Sequence, residues 1–465
     1  MNAKRPLVYP YIPNSVPDVR QAMLAEIGVN SVDELYEDIP KNLRLGRLLD
    51  LPEPMLSEVE LARHVGGILS KNRTCEDFSS FLGAGCYDHH VPAVCDEINQ
   101  RSEFLTAYAG EPYDDHGRFQ ALFEYQSMMG ELLDMDVVNV PTYDGLQASA
   151  TAVRMAVRIT GRKRILVAKT IHPSVLSKMR DYCGPSIDVE MLDADLETGQ
   201  LDLTRLKDAL STDIAAVYFE NPSYLGALET HGDEISALVH SVGAVCIVGV
   251  DPISLGVIAP PANYGADIVC GDIQSLGIHM QFGGGHAGFI GTRDEVKYVM
   301  EYPSRLFGLA PTSGPGEYGF GDVAYERTSF AHREEGKEFV GTASALWGVT
   351  AGVYLALMGP KGMEELGVGI MQRARYLMME LDKIDGVKAP LFAAPHFKEF
   401  AVSFEGTGKT VSEINDSLFS QRIFGGKDIS KEFPEFGACA LYCVTEKHSQ
   451  ADLDALVDAL RKAVS

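Results

Sequence analysis

The chain has 465 residues, 46% of them hydrophobic, and a formal net charge of −25. That length supports a large core spread over two or three domains, and ordinary Gly and Pro usage without low-complexity tracts argues against disorder. So acidic a surface repels phosphate backbones and anionic lipid, which disfavours nucleic-acid and membrane-surface roles. No apolar leader follows Met1 and no run approaches ~18 apolar residues, so a cytoplasmic chain without a membrane span is expected. The eight cysteines form no CxxC pair, which favours buried free thiols over disulfides or a zinc site.

In chain order, residues 1–80 read as a helical arm. Asn14-Ser15-Val16-Pro17 starts a helix that stops before Gly28, and Ser31-Val32-Asp33-Glu34 resembles the cap of the next. Helical spacing returns over 57–69. The loop 81–92, FLGAGCYDHHVP, breaks the pattern with glycines and a prolyl turn. Over 118–133, Phe119, Leu122, Phe123, Met129, Leu132 and Leu133 line one helical face. Strand and helix signals then alternate. Strands are expected at 137–140, 164–168, 187–192, 215–219, 244–250, 267–270 and 287–291, with helices such as 145–159 and 234–241 between most of them. Short β-branched runs separated by helices predict a largely parallel sheet with right-handed crossovers, an α/β domain over 81–340. Residues 301–338 read as loop. A long apolar helix over 342–357, ended by Gly359-Pro360, links to a small α+β domain that completes 341–465. Its strands are expected at 400–404 and 438–444, and its terminal helix at 449–464.

The chemistry gathers where a lysine is missing. The apolar run 244–250 ends in Asp251, and from residue 208 to 296 there is no lysine at all. A carboxylate at the end of a buried strand can hold a pyridinium nitrogen protonated, and a lysine on the next strand can form a Schiff base, as pyridoxal phosphate (PLP) requires. With the aspartate alone, either the chain has no PLP site and Asp251 is a turn residue before Pro252, or it is the non-catalytic half of a PLP enzyme. On either reading it supplies no catalytic residue. Gly283, Gly284 and Gly285 allow a phosphate cradle or a close backbone approach, and match neither Walker A nor dinucleotide spacing. His172, after the strand at 164–168, either stacks on a flat cofactor or starts a helix. Tyr143, ahead of Asp144-Gly145, marks an anion-binding helix start or a capped turn. Tyr87, His89 and His90 put polar tips on the 81–92 loop. Adjacent histidines face different sides, so a ligand or interface loop is expected rather than a metal site. Arg327 and Arg333 read as carboxylate binders or surface ion pairs.

Several segments together resemble the alpha subunit (subunit 1) of the glycine cleavage system P-protein, the decarboxylating glycine dehydrogenase. They are YPYIPNS at 9–15, MLAEIGVNSVDELYEDIP at 23–40, FLGAGCYDHHVPAV at 81–94, FEYQSMMGELLDMDVVN at 123–139 with TYDG at 142–145, NYGADIVCGDIQSLGIHMQFGGGHAGF at 263–289, LALMGPKGMEELG at 355–367 and LYCVTEKHSQADLDALV at 441–457. The resemblance implies the fold type I PLP-dependent transferase architecture, aspartate aminotransferase-like. It implies a chain without the PLP lysine that pairs with a homologous, lysine-bearing beta subunit. The pair would decarboxylate glycine and pass the aminomethyl group to the lipoyl arm of H-protein. By the same resemblance the 81–92 loop lies at an active-site mouth between subunits. Residues 108–120 and 333–342 depart from the family's pattern. They keep open a paralogous subunit acting on another amino acid, or a partner-binding chain with no catalytic role.

Overall fold

Seven strands build one sheet, and their order explains why the polar strand ends meet. The structure is a computed structural model, and it describes residues 8–47, 49–105, 116–341 and 343–465. The chain divides into two compact units, Met1–Asn72 and Arg73–Ser465.

The first unit holds helices α1 (Pro17–Ile27) and α2 (Glu58–Leu69). Pro17 opens α1 with its fixed φ, and Gly28 ends it in the left-handed region at φ 84°. The expected helix after Ser31 is only a 3-10 turn, Val32–Tyr36, without a side-chain cap.

In the second unit, helix α3 (Ala93–Asn99) follows the 81–92 loop, and helix α4 (His116–Leu133) precedes the sheet. Strands β1 (Val137–Val138), β2 (Arg164–Ala168), β3 (Asp188–Leu192), β4 (Ile214–Glu220), β5 (Val245–Val250), β6 (Ile268–Asp272) and β7 (Gly288–Thr292) pair in the order β1-β7-β6-β5-β4-β2-β3. Only β7 runs antiparallel to its neighbours; β6, β5, β4, β2 and β3 are parallel. Strands of a parallel sheet are covered on both faces, so β4 as far as Phe219 and all of β5 are apolar and buried. Each fully buried Val or Ile there contributes about 1.5–3 kcal/mol.

Helix α5 (Gly145–Thr160) packs on this sheet, capped by the Asp144 carboxylate, which accepts the Gln147 N–H at 2.7 Å. A Cβ on Gly288 would lie 2.0 Å from the Asp144 carbonyl oxygen, so β7 approaches the helix start only because residue 288 is glycine. Gly288→Ala should therefore destabilise the chain by about 1–3 kcal/mol through forced backbone movement. A lower urea midpoint at unchanged slope checks this.

One expectation fails for an identifiable reason. Residues 301–338 are not all loop: Phe307–Pro311 and Tyr318–Asp322 form an antiparallel hairpin. Its glycines and exposed outer positions hid the alternation. The long helix breaks at Gly359-Pro360 as expected, where Gly359 leaves helical geometry at φ 58°, ψ 178°; a second helical stretch starts at once with Pro360, and the two together are α6 (Ala345–Leu381). The second half of α6 packs on an antiparallel sheet of Glu399–Ser403, Cys439–Cys443 and Lys427–Asp428, flanked by the C-terminal helix Gln450–Val464.

Candidate functional site

A cavity of about 420 Å³ opens where the ends of β4, β5 and β6 meet the start of α5, the 81–92 loop and the residues leading into Glu399–Ser403. Strand ends in an open α/β sheet are where ligands bind, because backbone groups and turn side chains converge there.

Its floor is an ion pair. Lys398 Nζ lies 2.6 Å from Asp251 Oδ2, off the line of an aligned hydrogen bond, with 3% and 12% of the side chains exposed. The same ammonium lies 3.1 Å from His89 Nε2 and 3.2 Å from the centre of the Tyr87 ring. A lysine donates to a lone pair, so His89 carries its proton on Nδ1, which donates to Glu446 Oε2 at 2.8 Å. Burial alone would raise the Glu446 carboxyl. The hydrogen bonds from His89 and from the His90 amide outweigh it and hold it low. Beside Lys398, Glu399 accepts the Ala84 N–H at 2.6 Å and the Tyr87 hydroxyl at 2.8 Å. Burial raises its carboxyl above the ordinary range.

The opposite wall carries Glu220 at the end of β4. It accepts the His172 N–H at 3.0 Å, and burial pushes its carboxyl up to about 8. Asp272 at the end of β6 accepts the Gly145 N–H at 2.8 Å and the Gln274 N–H at 2.9 Å, and lies 3.2 Å from His286 Nδ1. Hydrogen bonds to Asp272 and to the Cys86 thiol raise His286 to about 10. Gln274 also clamps the 81–92 loop, accepting the Tyr87 N–H at 2.9 Å and donating to the Tyr87 carbonyl at 3.0 Å.

The cavity does not suit PLP, and three positions show why. The Asp251 carboxylate that would face a pyridinium already faces Lys398. The side chains at and beyond the end of β6 are Asp272, Gln274 and Ser275, and Ser275 Oγ donates to Asp251 Oδ1 at 3.3 Å. A phosphate needs free N–H groups and a positive field at a helix start. Two of the first N–H groups of α5, those of Gly145 and Gln147, are taken by Asp272 and Asp144, so the helix start carries two carboxylates rather than a positive field.

Of the residues singled out in the sequence, Tyr87, His172, Asp251 and Gly283 line this cavity. His172 is pinned: Nδ1 accepts the Ser174 N–H at 3.0 Å as a helix cap, Nε2 donates to the Ala84 carbonyl at 2.8 Å, and its ring meets Tyr224 edge-on at 4.6 Å. Gly284, Tyr143 and Arg333 are not among the lining residues, and Tyr143 is 49% exposed. His89 is not a polar tip but a buried link between Lys398 and Glu446, whereas His90 is exposed and contributes its amide. Arg327 neither binds a carboxylate nor sits on the surface. It is buried and donates to the Tyr302 and Ser304 carbonyls. Of the divergent segment 108–120, residues 108–115 lie outside the described residues. No group of three or more His, Cys, Asp or Glu arranged to hold a metal occurs among the described residues.

Sequence reasoning missed Lys398, Glu220 and Glu399. Glu220 had the signal that drew attention to Asp251, a carboxylate closing an apolar strand; Lys398 had none.

The family model described as "Glycine cleavage system P-protein" matches residues 10–460. The chain is 37% identical to the probable glycine dehydrogenase (decarboxylating) subunit 1 of Staphylothermus marinus, over 98% of each chain. It is 39% identical to the protein of the same name from Carboxydothermus hydrogenoformans, over 97% of this chain and 99% of that one. A crystal structure of glycine decarboxylase (P-protein) of the glycine cleavage system, in inhibitor-bound form, superposes with TM-score 0.85 at 32% identity, covering 98% of this chain and 100% of that chain. Sphingosine-1-phosphate lyase from Burkholderia pseudomallei shares the fold alone, at TM-score 0.64 and 15% identity over 92% of this chain and 94% of that chain. The single antiparallel strand in the seven-stranded sheet, the fold type I architecture and the near-full-length identity agree, and the chain belongs to the glycine cleavage system P-protein family.

Proposed function

We propose that the chain is subunit 1 of a PLP-dependent glycine dehydrogenase (decarboxylating), the half that holds no cofactor. A homologous subunit bears the Schiff-base lysine, and the lipoyl arm of H-protein accepts the aminomethyl group. The observation that carries this reading is the Lys398–Asp251 ion pair. It occupies the position a pyridinium would need, in a sheet that offers no lysine from residue 208 to 296. The cofactor's electron-sink chemistry then belongs to the partner's site. This chain's residues brace the loops around their own cavity: Gln274 clamps the 81–92 loop to β6, and Lys398 locks that loop to β5.

The first unit supports an obligate partner. Among its described residues Leu24 alone is a buried hydrophobic, while Tyr11, Leu43, Leu51 and Leu56 are each more than half exposed. Apolar area on that scale is stable in water only when another surface covers it. The eight cysteines are free thiols, which suits the reducing cytoplasm. No helix among the described residues is long and apolar enough to cross a membrane.

Purified alone and mixed with PLP, the chain should give no Schiff-base absorbance and no pyridoxyl peptide after borohydride reduction. Co-expressed with a lysine-bearing subunit, it should sediment as a hetero-oligomer and support glycine-dependent CO2 exchange with lipoylated H-protein. A stoichiometric pyridoxyl adduct on this chain, or activity without the partner, would overturn the reading. Exchange with another amino acid in place of glycine would favour the paralogous subunit.

A further inference from the structure

The contacts around Lys398 describe a recognition site as well as an ion pair. Three different groups close on its Nζ: Asp251 Oδ2 at 2.6 Å, His89 Nε2 at 3.1 Å and the centre of the Tyr87 ring at 3.2 Å. The carboxylate supplies charge, the imidazole lone pair takes one N–H, and the aromatic face attracts the cation. Each of the three is fixed from behind. Ser275 donates to Asp251 Oδ1 at 3.3 Å, Glu446 accepts from His89 Nδ1 at 2.8 Å, and the Tyr87 hydroxyl donates to Glu399 at 2.8 Å. Lys398 enters this cage from the residue before Glu399–Ser403, with 3% of its side chain exposed. Tyr87, Asp251 and Lys398 all line the cavity of about 420 Å³, so the cage borders it directly. A guanidinium is planar and a quaternary ammonium has no N–H to donate, so the cage suits a primary ammonium.

We propose that Asp251, His89 and Tyr87 form a primary-ammonium site, and that the chain keeps this site filled with its own Lys398. Lys398 is then a built-in ligand, an autoinhibitory contact that closes the cavity to small amines. The tether leaves a mark. Asp251 Oδ2 lies within ion-pair distance of Nζ but off the line of an aligned hydrogen bond. An untethered alkylammonium is free to align with it. The ligand class follows from what Lys398 would leave behind. Cut back to alanine, residue 398 loses three carbons and an ammonium, the outline of n-propylammonium, and the space joins the cavity. The site is made of this chain's own residues, whichever subunit carries PLP.

Two measurements test this. The first takes the unaltered full chain with nitrogen-15-labelled lysine. A caged ammonium exchanges its protons slowly and feels the ring current of Tyr87. A lysine Nζ signal with upfield-shifted protons should therefore persist at pH 7, where solvated lysines exchange too fast to be seen. A spectrum without such a signal would overturn the proposal. The second takes Lys398→Ala with n-propylammonium chloride, against tetramethylammonium chloride at equal concentration. At about 100 mM, n-propylammonium should raise the folded-to-unfolded ratio of the variant about tenfold, as a ligand at about ten times its Kd does. It should leave the unaltered chain unmoved, because that cage is occupied. Tetramethylammonium, a cation without N–H donors, should move neither. Adding Asp251→Asn to Lys398→Ala should abolish the gain. An equal gain in the unaltered chain, or none in the folded variant, would overturn the proposal. If Lys398→Ala folds neither with the amine nor without it, the lysine spectrum of the unaltered chain decides alone.

Discussion

Replacing Lys398 with methionine should destabilise the chain by about 3–5 kcal/mol, the cost of leaving a buried carboxylate without its counter-charge. Methionine keeps most of the apolar stem, so packing changes little and the lost charge dominates. Three groups lose a partner at once. Asp251 loses its cation at 2.6 Å, His89 Nε2 loses its donor at 3.1 Å, and the Tyr87 ring loses the ammonium on its face. Because Lys398 also offsets the buried Glu399 carboxylate, that group should shift further toward its protonated form. The paired substitution Lys398→Met with Asp251→Asn should recover most of the loss, since removing both members of a buried pair is often near neutral. Urea unfolding at pH 7 reads both variants. An unchanged midpoint for Lys398→Met would mean the ion pair does not bolt the 81–92 loop to the sheet.

Glu220→Gln should remove the pH dependence that this buried acid imposes. Its folded-state carboxyl titrates near 8, against 4.5 ordinarily, with burial as the main cause. Between those two pH values the folded chain keeps a proton that the unfolded chain releases. Stability therefore falls as pH rises through this window and levels off above 8. The total is on the order of 5 kcal/mol. Glutamine keeps an acceptor for the His172 N–H and carries no proton to lose. The variant should match the parent near pH 4.5 and gain on it steadily up to pH 8. Glu446 has the opposite sign: its lowered carboxyl contributes stability at neutral pH that is lost as the pH falls below the ordinary carboxylate range. Denaturation midpoints at pH 5, 6.5 and 8.5 read Glu220, and a further one at pH 3 reads Glu446. A parent and a Glu220→Gln variant that stay parallel across that range would show that Glu220 is ionised in the folded chain.

Much of the architecture was legible because the sheet strands are buried on both faces. The expected strand at 164–168 coincides with the observed one, that at 244–250 starts one residue early, and that at 215–219 falls one residue short at each end. Periodicity speaks clearly when every residue of a run is apolar and glycine, proline or a cap closes each end, as Asp144 closes α5 and Ser449 the last helix. It fails in the Phe307–Asp322 region, where one face of the hairpin is exposed.

By itself the sequence determined the alternation of strand and helix, the family, and the absence of lysine from the stretch that would have to supply it. These are local or compositional facts, carried by residues next to one another. What only the tertiary structure decided is which groups face the cavity. Lys398 meets Asp251 across 147 positions, and His89 across 309. Asp272 reaches the Gly145 amide from 127 positions away. No pattern of neighbours encodes such pairings. They arise because parallel strands end on one edge of the sheet and the loops from other parts of the chain fold over that edge, where burial makes each charge seek a partner.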